Sequence, residues 1–154
     1  MAPIIIQPGD FGDPQVLDLL RVHLAGMHAT SPPGCVHALD LSGLRAPGVT
    51  FYTAWESEAL LGFAALKELT PVTGEIKSMR TAAAHLRRGV AARLVEHMIA
   101  IARSRGYSRL SLETGSGPAF EPALALYRRY GFVNGEVFGE YSRSGFSRFL
   151  HLAL

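Results

Sequence analysis

The stretch that decides the fold is TAAAHLRRGVAARL, residues 81–94. It begins at the end of a predicted strand, Glu75 to Thr81, and ends inside a predicted helix, Gly89 to Arg105. One face of that helix carries apolar side chains at helical spacing, namely Val90, Leu94, Met98 and Ile101. The glycine at Gly106 ends the helix. The pattern predicts a strand, a short turn and a long amphipathic helix in succession.

The turn itself has the composition of an anion site. Gly89 lets the backbone turn tightly and approach a ligand closely. Val90 and Ala91 leave unpaired N–H groups in the first helical turn, and such groups bind phosphate. Arg87 and Arg88 precede the turn, where cations reinforce phosphate binding. An ordinary helix start with two solvated arginines has the same spacing, so the residues alone leave both interpretations open.

The flanking segments complete a mixed pattern of strands and helices. The predicted elements are a buried strand at Ile4 to Ile6, a helix from Asp13-Pro14 to about His28, a short helix within Val36 to Leu44, strands at Val49 to Trp55 and Leu60 to Leu69 with a hairpin turn at Glu56-Ser57-Glu58, a strand around Leu110 and Leu112, a helix from Pro122 to Tyr130, and closing strands at Phe132 to Phe138 and Phe146 to Leu152. This order predicts one α+β domain over residues 1–154, with a sheet of mixed direction covered by helices.

Composition narrows the function. The formal net charge of +2 is too small to indicate a nucleic-acid partner, and the basic stretch from Arg103 to Arg109 lies at a predicted helix end, where cations are favourable anyway. Cys35 is the one cysteine, so no internal disulfide forms, and a reducing, cytoplasmic location is expected. The apolar run from Val90 to Ile101 is broken by charged residues, so no membrane span is predicted.

Histidines do not form a metal-binding pattern in this sequence. His23 and His28 are five residues apart, a spacing that does not stack two side chains on one helix face. The others, His37, His85, His97 and His151, are scattered over different predicted elements. No zinc-type ligand set is therefore expected.

Two motifs resemble those of the GNAT superfamily of N-acetyltransferases. The family's phosphate motif, Gln/Arg-x-x-Gly-x-Gly/Ala, is matched by residues 86–91 at Gly89 and Ala91, while Leu86 replaces the first residue. The family's second signature, Ala-x-x-Leu-Tyr-x-x-x-Gly-Phe, is fully matched by ALALYRRYGF, residues 123–132. The resemblance covers the chain from about Glu75 to the C-terminus and implies a GNAT fold. In that fold a mostly antiparallel sheet of about six to seven strands is flanked by about four helices.

The resemblance also implies an activity and a cofactor. The expected reaction moves an acetyl group from acetyl-CoA to a primary amine of a small molecule or peptide, without a metal. The residues expected at the cofactor are Met79, Arg80, Thr81, Arg87, Arg88, Gly89, Val90, Ala91, Ala92, Phe120, Ala123 and Tyr127. In the family, backbone groups at the positions of Met79 and Thr81 hold the acetyl carbonyl and pantetheine. Phe120 stands where the family often has an asparagine that contacts pantetheine.

Three residues are candidates for proton transfer. The resemblance implies that Tyr127 lies near the sulfur and protonates the leaving thiolate, which a phenol with a pKa near 10 is able to do. A neutral amine must attack, so a base is needed; Glu75 is the first candidate and Glu113 the second. Tyr127 as a packing residue, and either glutamate as a surface charge, are the alternatives.

Other functions and partners stay open from sequence. An acyl-CoA sensor without turnover fits the same motifs, and a nucleic-acid-binding domain would use the arginines. The acceptor is expected between the Met27 to Leu44 region and the Phe138 to Phe146 loop. The expected partner is the amine acceptor, with a homodimer left open and with neither nucleic acid nor membrane.

Overall fold

A computed structural model describes residues 2–35 and 40–154 of the chain. Its strands are β1 (Ile5–Pro8), β2 (Val49–Glu56), β3 (Ala59–Thr70), β4 (Thr73–Thr81), β5 (Arg109–Thr114), β6 (Val133–Asn134) and β7 (Arg148–Ala153). Its helices are α1 (Pro14–Thr30), α2 (Leu41–Leu44), α3 (Val90–Ser104) and α4 (Glu121–Arg129). The order of elements is the predicted one.

The strands form one sheet in the order β1-β2-β3-β4-β5-β7-β6. All neighbouring strands are antiparallel except β4 and β5, which pair in parallel. The parallel ladder runs only from Thr73 opposite Arg109 to Ile76 opposite Leu112. A parallel pair requires a crossover connection, and α3 supplies it. The predicted α+β class with a mixed sheet is confirmed.

Helices cover both faces of the sheet. On one face, α3 and α4 bury side chains such as Leu94, Met98 and Leu124 against the sheet residues Leu66 and Leu110. On the other face, the α1 residues Val16, Leu19 and Leu20 pack with Leu44 of α2. The sheet contributes Phe51, Phe63 and Ala65 to this second cluster. Apolar burial on both faces fixes which way each strand side chain points, since neighbours alternate between faces.

Helix starts follow the predicted chemistry. The Asp13 carboxylate accepts a bond of 2.8 Å from the Gln15 N–H, and Pro14 occupies the first position of α1. Asp40 likewise caps α2 through the Gly43 N–H at 2.9 Å. The predicted helix within Val36 to Leu44 also included residues 36–39, among them His37. These residues lie outside the described part of the chain.

Two strand predictions were wrong in part. The first strand is Ile5–Pro8, at the sheet edge, and Ile5 is 55% exposed, so the strand is not buried as predicted. An edge strand pairs on one side only, and its apolar composition alone does not distinguish it from a buried strand. The predicted strand from Phe132 to Phe138 is only Val133–Asn134; the Gly135 N–H still bonds to the Phe149 carbonyl of β7, and the backbone after it is irregular.

Candidate active site

The turn before α3 has the geometry of an anion site. Gly89 adopts φ 79° and ψ 13°, the left-handed region that favours glycine, and Arg87 has φ 62°. In this backbone conformation the N–H groups of the first turn of α3 lie at the free N-terminal end of the helix. Among the described residues, no side chain caps them. The predicted segment Gly89, Val90, Ala91 and Ala92 therefore offers unpaired donors at a helix N-terminus, the arrangement that binds phosphates.

The two arginines before this turn differ in their engagement. The Arg88 guanidinium forms an ion pair with Glu56 at the end of β2 and lies 3.0 Å from His85 Nδ1. Arg87 is exposed, two residues before Gly89. Because Arg88 is already paired with Glu56, Arg87 is the better candidate of the two for a bound phosphate.

A cleft opens where β4 and β5 separate. Their ladder ends at Ile76 and Leu112, although β4 continues to Thr81 and β5 to Thr114. Beside the gap β4 bulges: Ser78 has φ 53°, and the register with β3 shifts between Phe63 and Ala65. The resulting cleft has a volume of about 140 Å³. It brings together six predicted site residues, namely Glu75, Met79, Glu113, Phe120, Ala123 and Tyr127.

Tyr127 forms one wall of this cleft. Its side chain on α4 is buried, packs edge-on against Phe132 and donates from its hydroxyl to Met79 Sδ at 3.9 Å. Burial raises the pKa of the phenol to about 12. The hydroxyl therefore keeps its proton at neutral pH and is a proton donor inside a mostly apolar wall.

The lining of this cleft also includes a largely buried cluster of charged and polar groups, Glu75, Lys77 and Tyr141. Glu75 is 2% exposed. The Tyr141 hydroxyl donates to Glu75 Oε2 at 2.6 Å, and Lys77 Nζ donates to the Tyr141 oxygen at 2.6 Å. Lys77 Nζ also lies 3.7 Å from Glu75 Oε2.

Burial sets the proton affinities in this cluster. It lowers the pKa of Lys77, an effect that the Glu75 carboxylate partly opposes. Burial next to Glu75 raises the pKa of Tyr141 well above its usual range. Tyr141 therefore stays protonated, and the cluster links an amine, a phenol and a carboxylate in one hydrogen-bonded chain.

A second, wider cavity lies outside this cluster. Its volume is about 800 Å³, and Glu75, Lys77 and Tyr141 line both it and the cleft. The rest of its wall includes Gly34 and Cys35 after α1 and the loop from Phe138 to Ser144. These are parts of the two regions from which the sequence predicted an acceptor site.

Arg80 and Thr81 are not among the described residues that line the cleft. The Arg80 side chain lies against α1 instead, where its Nε donates to His23 Nδ1 at 3.0 Å and its Nη2 to the His23 carbonyl at 3.2 Å. Gly26 makes room for it, since a Cβ there would lie 2.6 Å from Arg80 Nη2. Any contact of Arg80 with a cofactor is thus left to its backbone.

Among the other residues of the cleft, sequence reasoning did not single out His23, Lys77 or Ser78, and it included Tyr141 only as part of the loop from Phe138 to Phe146. Lys77 had a usable signal, because it is two residues from Glu75 on one strand and so shares its face. His23 was weighed only as a metal ligand. Tyr141 lies in an irregular loop, where no periodicity reports on its position.

Residues 2–35 and 40–154 contain no group of three or more His, Cys, Asp or Glu side chains suited to a metal ion. Within the same ranges no helix is both long and apolar enough to cross a membrane.

Comparison with known proteins agrees with this geometry. The model of the acetyltransferase (GNAT) family matches residues 16–132. An uncharacterized N-acetyltransferase of Bacillus subtilis (strain 168), YsnE, is 50% identical over 94% of this chain and 96% of its own length. Another from Escherichia coli (strain K12), YedL, is 46% identical over 97% of this chain and 94% of its own length.

A solved structure supports the fold independently. A Bacillus subtilis acetyltransferase in complex with CoA superposes with a TM-score of 0.74 at 21% identity, covering 99% of each chain. The predicted GNAT fold is confirmed. From the family model and the two relatives, this chain is an N-acetyltransferase and belongs to the acetyltransferase (GNAT) family.

Proposed function

We propose that this enzyme transfers the acetyl group of acetyl-CoA to a primary amine of a small molecule or peptide, by direct attack of the amine on the thioester. The observation that carries the proposal is the cleft between β4 and β5. Its lining includes both the protonated Tyr127 phenol and Glu75. A transfer from sulfur to nitrogen requires an acid for the leaving thiolate and a base for the amine.

The helix start at Gly89 supports the binding of acetyl-CoA. The pyrophosphate would accept hydrogen bonds from the uncapped N–H groups of Val90, Ala91 and Ala92, with Arg87 alongside. The pantetheine arm would run from there along β4 past Met79 into the cleft. Phe120, which stands where the family often has an asparagine, and Ala123 would pack against it.

Tyr127 would act as the general acid. As the carbon–sulfur bond breaks, the Tyr127 hydroxyl gives its proton to the sulfur. Burial keeps this proton in place before the reaction, and the weak bond to Met79 Sδ holds the hydroxyl toward the cleft. Transfer of a proton within the transition state contributes about 10²–10⁴ in rate.

Glu75 would accept the proton of the amine. It lines both the narrow cleft and the wide cavity, and its carboxylate accepts a hydrogen bond from the Tyr141 hydroxyl, which also lines both. An amine arriving from the wide cavity would pass its proton to Glu75 directly or through a hydroxyl or water. Lys77 Nζ lies 3.7 Å from Glu75 Oε2 and forms an ion pair with it. Glu113, which also lines the cleft, is the second candidate base.

The test combines binding and turnover. Acetyl-CoA should raise the thermal midpoint of the protein, because it binds only the folded state. Incubation with a panel of primary amines should then release free CoA thiol and yield acetylated amine by mass spectrometry. Thermal stabilisation without thiol release for any amine would favour an acyl-CoA sensor. Absence of stabilisation would overturn the proposal altogether.

A further inference from the structure

The hydrogen bond between Arg80 and His23 fixes the protonation of His23. A guanidinium has only donors, so His23 Nδ1 must offer its lone pair to Arg80 Nε at 3.0 Å. The other ring nitrogen, Nε2, then carries the proton of the neutral imidazole. Burial and the nearby Arg80 charge lower the pKa of His23 to about 4, so the ring stays neutral at physiological pH. His23 is therefore a fixed N–H donor and not a base.

This donor is buried beside the cleft. His23 is 4% exposed, and its ring is held edge-on against Phe63 at 5.5 Å. It lines the cleft, yet no described residue accepts a hydrogen bond from its Nε2. An unsatisfied buried donor costs about 1–3 kcal/mol. A polar group of the ligand would remove that cost.

A second buried polar group lines the same cleft. Ser78 Oγ, on the bulge of β4, also has no partner among the described residues. Neither His23 nor Ser78 is among the described residues that line the wide cavity. The two groups therefore serve whatever enters the narrow cleft, which is several-fold smaller than the cavity expected to hold the acceptor.

We infer that His23, assisted by Ser78, donates a hydrogen bond to the carbonyl oxygen of the acyl group. The inference rests on the proposed function, which brings the thioester into this cleft. When the amine attacks, a nitrogen–carbon bond forms and negative charge develops on that oxygen. His23 Nε2–H stabilises the charge and keeps its proton throughout. The carbon–sulfur bond then breaks, and the sulfur takes its proton from Tyr127.

Two substitutions separate this role from a structural one. His23→Asn keeps an acceptor near the position of Nδ1 for Arg80 but removes the donor at Nε2. His23→Gln does the opposite: it offers an amide N–H near Nε2 and loses the acceptor for Arg80. A catalytic donor predicts that glutamine works better than asparagine. A residue that only anchors Arg80 predicts the reverse order.

The first measurement needs no acceptor. Acetyl-CoA labelled with ¹³C at the carbonyl is bound to each protein, and the infrared stretch of that carbonyl is recorded. A donated hydrogen bond lowers the frequency, so wild type and His23→Gln should shift the band down from its position in free acetyl-CoA. In His23→Asn the band should move back toward the free position. An unchanged band in His23→Asn would overturn the inference.

The second measurement is turnover with an amine found by the panel. Loss of one donor to a developing oxyanion costs about 10²–10³ in kcat, and His23→Asn should show a drop of this size with unchanged affinity for CoA. Wild-type kcat in His23→Asn would overturn the inference, and a rise confined to the KM for the amine would assign His23 to acceptor binding instead. Wild-type protein that binds acetyl-CoA without releasing thiol would instead overturn the proposed function.

Discussion

Tyr127 on α4 and Tyr130, which caps the C-terminus of the same helix, provide a matched pair. Tyr127→Phe deletes a hydroxyl that bonds only weakly to Met79 Sδ, so folding should hardly change. Turnover should fall by about 10²–10⁴, because the leaving thiolate loses its proton donor. Tyr130→Phe is the control: its hydroxyl bonds to Glu96 on α3 at 2.6 Å, and its loss should leave turnover unchanged. Equal rates for wild type and Tyr127→Phe would make Tyr127 a packing residue.

Glu75 is harder to test, because its charge also compensates Lys77. Glu75→Gln should lower turnover most at neutral pH and leave CoA affinity unchanged, but it also leaves the buried ammonium of Lys77 without its anion. The double variant Glu75→Gln with Lys77→Met removes that cost. We expect it to regain thermal stability without regaining turnover.

The matched variant Glu113→Gln tests the second candidate base in the same assay. Normal turnover in Glu75→Gln together with a loss in Glu113→Gln would reverse the assignment of the base.

Single residues were predictable where a motif named them. Tyr127, Met79 and Glu75 do line one cleft, because the motifs tie them to particular elements. The motif was less informative for Arg88, whose ion pair with Glu56 depends on the distant end of β2. His23 shows the same limit: its role depends on Arg80, 57 residues later in the chain.

Among the elements, α3 allows a test in which stability and binding move in opposite directions. Ala91→Asp places an anion in the first turn of the helix, where the macrodipole stabilises it by about 0.3–1 kcal/mol. The same anion should repel a bound pyrophosphate, and a loss of about 1.4 kcal/mol in binding raises the Kd tenfold. Ala91→Asn, which has the same shape without charge, should bind nearly as well as wild type.

Titration calorimetry with CoA measures the affinity, and thermal unfolding measures the stability of the variants at Ala91. Equal CoA affinity in Ala91→Asp and Ala91→Asn would mean that the phosphates of CoA do not bind at the start of α3.

Elements with internal periodicity or clear end signals were predicted well from sequence. α3 and β5 were, because their apolar residues recur at 3.6 and 2 residues. β6 was not, because its two residues depend on pairing with β7, which lies beyond a loop of irregular backbone. The bulge at Ser78 and the splay of β4 from β5 have no local signal, since they arise from how three strands meet.

For the whole molecule, the buried neutral His23 predicts a pH dependence of stability. Its pKa is about 4 in the folded protein and 6.5 as the ordinary value, so the unfolded chain binds the proton more tightly. The stability is fully present above pH 6.5 and is lost as the pH falls toward 4. The loss amounts to about 3 kcal/mol, since each unit is worth about 1.4 kcal/mol.

Urea unfolding of wild type and His23→Asn at pH 7 and pH 4 isolates this contribution. Burial also lowers the pKa of His97, so both proteins should lose stability in acid. The loss should be smaller in His23→Asn by about the 3 kcal/mol that His23 contributes. Identical losses in the two proteins would mean that the pKa of His23 is the same in the folded and the unfolded protein.

The short ladder between β4 and β5 has a consequence for hydrogen exchange across the sheet. Four residue pairs join its two halves, and beyond Ile76 and Leu112 the facing peptide hydrogens have no strand opposite them. Such hydrogens exchange quickly with deuterated solvent, because no opening event is needed first. A pantetheine arm lying in this gap would occupy the place of a strand. Slowed exchange at residues 77–81 on adding CoA, with residues 59–66 of β3 unaffected, would show that the ligand binds in this gap and protects its peptide hydrogens.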